Sequence, residues 1–346
     1  MGEGELILLH ALRQLTPEWL TVLTKRYWVL RAIESMEPVG RRALMNQINW
    51  SERQVRGEME ALKQSGLLTV SGQGMSLSDA GRDVLLKLSD LIDMIHAIDP
   101  LEREVQQVLG VASVSVVSGD VAESPMTLHN LGRSAARCLR SRLKDNAIVA
   151  ITGGTTMAAM AGAMEPTQQF SGVTVIPARG GIGQRMESQA NNIAAVLAQK
   201  LGGEYHLLHL PDQLSEAARE SLLSQSETRE ILAMLQKADM LIYGIGRADV
   251  MAERRHLPEE IQRELRRVEA VAEACGYYYN RQGEPVYTAG SVGLSLEQID
   301  AIGTHIAVAG GAEKAQAIMA VARRKPDIHI VMDESAAGRI LEIARQ

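Results

Sequence analysis

The sequence predicts a small, mostly helical N-terminal domain followed by a larger α/β domain with a mostly parallel sheet. Two patterns in the 346 residues indicate this. The first ninety residues contain helical segments followed by two short strands around a glycine turn. From about residue 111, short runs of β-formers alternate with helical segments, which is typical of a parallel sheet with helices on both faces. We therefore expect domains over residues 1–90 and 111–346, joined by a linker helix over residues 91–110.

Composition and charge exclude several classes of protein. The net charge of −6 argues against a chain coated with basic residues for nucleic acid. The two cysteines, Cys138 and Cys275, form no CxxC pair, which favours a reducing compartment and no metal site. The first residues are acidic rather than basic, and no apolar run approaches the roughly 18 residues of a membrane span. The sequence thus predicts a cytoplasmic protein with no membrane partner and no metal.

The N-terminal elements follow the order of a winged helix-turn-helix. Thr16-Pro17 is a helix start with proline at its first position, and that helix extends to about Ser35. Ser51 and Gln54 have the spacing of a capping box, which marks the start of the third helix. The remaining elements are a short second helix and a hairpin, at Arg41–Ile48, Leu67–Val70 and Met75–Leu77. In this order the third helix is the recognition helix, whose first residues face the major groove.

The third helix has a polar face suited to DNA. Arg53, Arg56 and Gly57 fall opposite its apolar residues, and a glycine on an exposed helical face indicates close approach to another surface. Residues 1–90 nevertheless contain 11 basic and 11 acidic residues, so charge does not distinguish a DNA-binding domain from a small packing domain. The order of the elements favours DNA. The predicted DNA-binding residues are Arg41, Arg42, Ser51, Arg53, Gln54, Arg56 and Gly57.

A short apolar seam precedes the second domain. Its residues are spaced by 4, 3, 4 and 3 positions, as in a coiled coil of about two heptads. They are Val84, Leu88, Leu91, Ile95 and Ile98. The seam can pair with a second chain, giving a homo-oligomer (a dimer or tetramer), or it can pack on its own domain.

Three strand–glycine–helix units predict the binding site of the second domain. The strands at Ile148–Ile151, Val173–Pro177 and Ile306–Ala309 are each followed by a pair of glycines and a helix. Such loops leave the N–H groups of a helix N-terminus unpaired and attract anions, and in a parallel sheet they meet at one edge. The loop residues that we expect at an anionic ligand are Gly153, Gly154, Thr155, Thr156, Arg179, Gly180, Gly181 and Lys314.

An enzyme acting on a sugar phosphate is the alternative that the loops leave open. An isomerase or lyase needs a general acid and base beside the substrate, and no carboxylate pair or His/Asp set accompanies the three loops. Glu273 is the one candidate base, and a surface glutamate explains it equally well. A nicotinamide dehydrogenase is disfavoured because Gly244-Ile245-Gly246 lacks the third glycine of the dinucleotide fingerprint. We therefore predict no catalytic residues and no cofactor.

Several segments together resemble the SorC family of sugar-responsive bacterial regulators. They are Gly40-Arg41-Arg42, the Ser51–Leu62 helix, Thr152–Thr156, Pro177–Gly181, Gln189-Ala190-Asn191, Met251–Arg255, Gly276–Tyr279 and Ala309-Gly310-Gly311. The resemblance implies an effector domain related in fold to sugar-phosphate isomerases. It also implies repression of a glycolytic operon at operator DNA, relieved by a sugar phosphate, fructose 1,6-bisphosphate above all. The family's effector positions correspond here to Thr155, Thr156, Arg179, Gln189, Arg254, Glu273 and Lys314.

Overall fold

The chain consists of two compact units, Met1–Asp99 and Pro100–Gln346. The structure, a computed structural model, describes residues 15–48, 50, 52–97, 100–180, 186–210, 216–290 and 292–346. The predicted linker at 91–110 contains the end of one helix, which stops at Ala97, and a second helix that begins at Pro100. The second of these helices belongs to the larger unit.

The first unit has the predicted winged helix-turn-helix order. Its elements are α1 (Pro17–Met36), α2 (Arg41–Ile48), α3 (Glu52–Gln64), β1 (Leu68–Ser71), β2 (Gly74–Leu77) and α4 (Asp79–Ala97). The strands form a hairpin closed by Gly72 and Gln73, with Ser71 opposite Gly74. Val39 adds an antiparallel bridge to Met75, with both N···O distances at 2.9 Å, so that the loop before α2 extends the wing.

Helix α3 is amphipathic, as predicted. Val55 and Leu62 are buried in a core that also contains Leu30 and Leu44, whereas Arg53 and Arg56 are exposed. Ser51 lies outside the described residues, and so does the capping box that we predict for it. Of the apolar seam, Val84 and Leu88 are half-buried on α4, and Ile98 lies outside the described residues. The pairing of the seam stays a prediction.

The second unit alternates strands and helices around a parallel sheet, which confirms the predicted α/β class. Its helices are α5 (Pro100–Leu109), α6 (Pro125–Arg140), α7 (Thr155–Ala163), α8 (Ala190–Leu201), α9 (Glu216–Ser224), α10 (Ser226–Leu235), α11 (Ala248–Arg254), α12 (Glu259–Arg267), α13 (Leu296–Ala301), α14 (Ala315–Arg324) and α15 (Glu334–Ala344). Its strands are β3 (Ser113–Val117), β4 (Ile148–Ile151), β5 (Thr174–Pro177), β6 (Glu204–Tyr205), β7 (Met240–Gly244), β8 (Gly246–Arg247), β9 (Ala270–Ala274), β10 (Tyr277–Asn280), β11 (Pro285–Thr288), β12 (Thr304–Ala309) and β13 (His329–Asp333). Two 3₁₀ turns, Met186–Ser188 and Ala312–Lys314, precede α8 and α14.

The order of the parallel strands determines where a ligand can bind. The order is β3-β13-β12-β7-β4-β5-β6, and every pair is parallel. The chain proceeds outward from β4 to β6 and then returns to the other side of β4 at β7. The connections therefore diverge from β4 and β7, and open α/β sheets bind ligands at the carboxyl ends of such a pair.

The large sheet is buried on both faces, as expected for parallel strands. Successive residues contact opposite clusters: Val149 and Ile242 pack on one side, and Ala150 and Leu241 pack on the other. A parallel sheet covered by helices favours continuous apolar runs instead of alternation. Such runs are what the sequence shows for β4 and β12, and this is why these strands are predictable.

Two sequence predictions differ from the structure. The sequence predicts a strand at Tyr205–Leu210, but of this run only Tyr205 lies in the sheet, as part of β6. Beyond it, the Asn191 side chain pairs with both backbone groups of Leu208 at 2.9 and 3.1 Å, in place of a strand ladder. The second difference is an antiparallel sheet in the order β11-β10-β9-β8, which the strand–helix alternation does not predict. No helix among the described residues is long and apolar enough to cross a bilayer.

Candidate functional site

A cleft opens at the carboxyl ends of β4 and β7. It is therefore at the point where the strand connections diverge. The antiparallel sheet and helix α11 form the wall that faces the parallel sheet. The cleft is lined by Thr152–Met157, Arg179, Gly180, Ser188, Ala190, Gly244–Arg247, Val250, Met251, Arg254, Arg255, Glu273, Cys275, Glu313 and Lys314.

The loop after β4 forms a helix N-terminus that faces the cleft. Gly154 is the N-cap of α7, with φ of 121° that favours glycine, and no atom of the described residues lies within 4 Å of where its Cβ would be. Gly153 is constrained instead by packing, since a Cβ there would lie 2.8 Å from the Ser188 carbonyl oxygen. Thr155 and Thr156 follow in the first turn, where hydroxyls and unpaired N–H groups together can bind a phosphate.

The loop after β5 contains a buried arginine. The Arg179 guanidinium lies over Gly276, where a Cβ would come within 2.4 Å of Nη1. A Cβ on Gly293 would lie 2.7 Å from the Arg179 Cα, and Arg179 and Gly293 form an antiparallel bridge. Glycine is therefore required at both positions for Arg179 to reach the cleft. Gly180 lines the cleft, whereas Gly181 lies outside the described residues.

Glu273 is at the centre of a buried charge cluster. Its Oε1 accepts hydrogen bonds from Arg255 Nη2 at 2.8 Å, from Arg179 Nη1 at 3.4 Å and from the Gly276 N–H at 2.6 Å. The three side chains are 7% or less exposed. Two arginines with one carboxylate leave a net positive charge, which favours an anionic ligand.

The loop after β12 is held by a buried carboxylate. Asp333 accepts the Gly311 N–H at 2.9 and 3.0 Å and the Val121 N–H at 2.9 Å, and it also caps α15 through the Ala336 N–H at 3.0 Å. This arrangement fixes the loop from which Lys314 reaches the cleft. Burial lowers the Lys314 pKa from its ordinary value, while Glu313 and Asp333 oppose that shift. A phosphate beside Lys314 would likewise favour its charged form.

The lining is strongly cationic. Among the described residues, five cationic side chains and two carboxylates line the cleft. Arg247 is paired with Asp249, at 3.1 Å from Nε to Oδ1. Arg254 is exposed on α11, and its guanidinium has no ion pair or hydrogen bond within the described part of the chain.

Most of the predicted effector residues surround this one cleft. Gly153, Gly154, Thr155, Thr156, Arg179, Gly180, Arg254, Glu273 and Lys314 all line it. Gln189 is the N-cap of α8, between two lining residues, and is not itself in the lining. Their contacts with an effector remain a prediction.

Three charged lining residues were missed by the sequence reasoning. They are Arg247, Arg255 and Glu313. Arg255 and Glu313 directly adjoin predicted site residues, and Arg247 follows the glycines after β7. The loop after β7, which contains Arg247, lies beside the loop after β4. This proximity is the signal by which Arg247 could have been identified.

Two further groups of the described residues, Cys275 and His305, are poorly suited to acid–base catalysis in the cleft. Cys275 lines it, but burial raises the pKa of its thiol, so that the thiol stays protonated. His305 lies in a separate pocket against Tyr243, where burial lowers its pKa to about 4. Among the described residues no group of three His, Cys, Asp or Glu side chains could hold a metal ion.

The first unit has a groove between helix α3 and the hairpin. Basic side chains from α2 and α3 and the turn of the wing line it, including Arg41, Arg56, Lys63 and residues 71–74. Arg42, Arg53, Gln54 and Gly57 are also exposed, and a Cβ on Gly57 would meet nothing within 4 Å. The predicted DNA-binding residues in the described part of this unit are thus all at the surface.

A winged helix-turn-helix joined to a domain with a cationic cleft is typical of a transcriptional regulator. Comparison with known proteins supports this class. Residues 22–92 match the family described as "CggR N-terminal DNA binding domain", and residues 94–342 match the one described as "Putative sugar-binding domain". The chain belongs to the SorC family of transcriptional regulators, and the relatives that match it are named as regulators.

Relatives of known name match nearly the whole chain. The "Central glycolytic genes regulator" of Bacillus subtilis is 40% identical over 96% of this chain and 98% of its own, and the protein of that name in Priestia megaterium is 38% identical. The crystal structure of "the putative SorC family transcriptional regulator from Enterococcus faecalis" is 36% identical, with a TM-score of 0.66 over 70% of this chain and all of its own. The full-length sorbitol operon regulator SorC of Klebsiella pneumoniae, at 16% identity, shares the fold with a TM-score of 0.66 over 88% of this chain and 94% of its own.

Proposed function

We propose that the chain represses glycolytic genes at an operator and is released by a phosphorylated sugar, with fructose 1,6-bisphosphate the preferred effector. The observation that supports this proposal is the cleft at the carboxyl ends of β4 and β7. Two of its loops start helices behind paired glycines, and five cations line it. A bisphosphate supplies two dianions that such a cleft can hold at separate loops. The names of the two 38–40% identical relatives support glycolytic genes as the target.

Gel mobility of promoter DNA tests the proposal. We expect the full chain to shift DNA from upstream of its own glycolytic genes, and fructose 1,6-bisphosphate to remove that shift. Glucose 6-phosphate, fructose 6-phosphate and unphosphorylated fructose serve as a panel that defines the effector. If no sugar phosphate in the panel removes the DNA shift, the chain does not have the proposed function. Turnover of any of them would favour the enzyme alternative.

Helix α3 should carry the DNA contacts. If the side chain contacts a base, Arg53→Ala or Arg56→Ala should reduce the free energy of operator binding by about 1–3 kcal/mol and relax specificity at one position. If the side chain binds phosphate, the variant should weaken all sequences alike and lower the salt slope by about one. Fluorescence anisotropy across salt concentrations measures both effects. Arg229→Ala, an exposed arginine of the other unit, is the control. Parent-like binding by both α3 variants at every salt concentration would contradict the assignment.

We also propose that the chain is a homo-oligomer paired through the α4 seam, because operator half-sites mirror the symmetry of the protein. Changing Leu91 and Ile95 together to aspartate should reduce the particle mass and weaken operator binding. Light scattering gives the mass. Leu86→Asp changes an exposed leucine of the same helix outside the seam and should leave the mass unchanged. An unchanged mass for the double variant would remove the seam as the interface.

A further inference from the structure

Two carboxylates of the described residues line the cleft. Glu273 is paired with two arginines, whereas Glu313 is not. The side chain of Glu313 is exposed, and its carboxylate has no hydrogen bond or ion pair within the described residues. It nevertheless folds back over the loop after β12. A Cβ built on Gly311 would lie 2.4 Å from Glu313 Oε2 and 2.5 Å from Oε1. The carboxylate therefore lies directly above the start of the 3₁₀ turn.

The loops after β4 and β12 share a pair of glycines and a similar backbone at the second glycine. Gly154 and Gly311 each follow another glycine, each is the N-cap of the next turn, and their φ values are 121° and 100°. By spacing, Glu313 is the counterpart of Thr156. The loops differ in what lies over the second glycine. Among the described residues no atom is within 4 Å of a Cβ built on Gly154, whereas the Glu313 carboxylate fills the corresponding space above Gly311.

Glu313 also lies among the cations that a second phosphate would need. It follows the loop glycines and directly precedes Lys314, and strand β8, which contains Arg247, contacts its turn. Burial lowers the Lys314 pKa and the charge of Glu313 opposes that shift, while the Arg247 pKa is raised first by its hydrogen bond to Asp249 and to a smaller extent by Glu313. A carboxylate in this place acts on those cations as a bound anion would.

We infer that the Glu313 carboxylate is an internal anion that occupies the β12 loop in the ligand-free chain and competes with the second phosphate of a bisphosphate effector. The inference rests on the proposed function. The loop after β4 is open and receives the first phosphate without competition. The second phosphate can bind Lys314 only when it displaces the Glu313 carboxylate. Glu313 thus sets how strongly the cleft distinguishes a bisphosphate from a monophosphate.

Calorimetric titration of the full chain tests this role. For Glu313→Gln, which keeps the size of the side chain and removes its charge, fructose 1,6-bisphosphate should bind roughly three- to tenfold more tightly than it binds the parent. Affinity for fructose 6-phosphate should change less than about twofold, since its one phosphate fits the open loop. The gain should shrink as salt is added, because exposed charges are screened. Glu260→Gln, an exposed glutamate on α12 away from the cleft, should match the parent for both ligands.

The outcomes separate this inference from the proposed function. A Glu313→Gln variant that binds the bisphosphate like the parent, or more weakly, would overturn the inference and leave the proposed function intact. Weaker binding of both ligands would instead make Glu313 an acceptor for sugar hydroxyls. If the parent binds neither fructose phosphate, the proposed function fails and the inference fails with it.

Discussion

Lys314→Ala and Arg254→Ala are each expected to abolish most of the thermal stabilisation by fructose 1,6-bisphosphate. Each variant removes a charged donor from the cleft, and a hydrogen bond to a charged group contributes about 1.5–3 kcal/mol. At a ligand concentration a hundred times the parent Kd, binding stabilises the parent by about 2.7 kcal/mol, or roughly 5–10 °C in Tm. A hundredfold loss of affinity would leave only about 0.4 kcal/mol at the same concentration.

The two variants should no longer respond to the effector but should still bind DNA. Neither residue belongs to the first unit, so operator affinity without sugar should equal that of the parent. Differential scanning fluorimetry with and without the sugar measures the shift. Lys237→Ala and Arg263→Ala, exposed cations away from the cleft, should keep the full shift. If both cleft variants also keep it, the effector binds elsewhere.

Glu273→Ala should lower the stability of the second unit by about 3–5 kcal/mol, because it removes the buried carboxylate that pairs with both Arg179 and Arg255. For a domain of this size that corresponds to a Tm roughly 10 °C lower. Thermal unfolding of the ligand-free chain gives the value. Glu264→Ala removes a carboxylate from an exposed ion pair with Arg267 and should leave Tm unchanged, since surface pairs contribute little.

Bound bisphosphate should partly restore the Glu273→Ala variant. An anion in the cleft replaces some of the missing negative charge, so the ligand should raise the Tm of this variant at least as much as that of the parent. A Glu273→Ala chain as stable as the Glu264→Ala chain would show that the cluster does not hold the two arginines in place.

Much of the fold is predictable from the sequence because its local signals are strong. The apolar runs of β4 and β12 identify buried parallel strands, and the paired glycines after them identify the loops that face the cleft. The winged helix-turn-helix order is also clear in the first ninety residues. The antiparallel sheet is not predictable in this way. Its short strand β8 follows β7 almost directly, and its pairing with β9 depends on contacts distant in sequence.

The site was only partly predictable for the same reason. Arg179 and Lys314 are marked by their glycine loops. Arg255 is next to a predicted residue, but its side chain donates a hydrogen bond to Glu273. Glu273 itself could be read as a base or a surface residue, because the sequence does not show that two arginines converge on one oxygen. Such convergence is a property of the tertiary structure and has no local pattern.

Equilibrium binding of labelled promoter DNA, titrated with fructose 1,6-bisphosphate, tests the central claim most directly. The claim is that a sugar bisphosphate in the cleft lowers the affinity of the chain for its operator. A ligand acts on a distant site only through its differential affinity for two states, and typical coupling is roughly 5- to 150-fold. The account predicts that saturating bisphosphate weakens operator binding within this range for the parent and has no effect on Lys314→Ala. Unchanged operator affinity of the parent, at a bisphosphate concentration that raises its Tm, would contradict it.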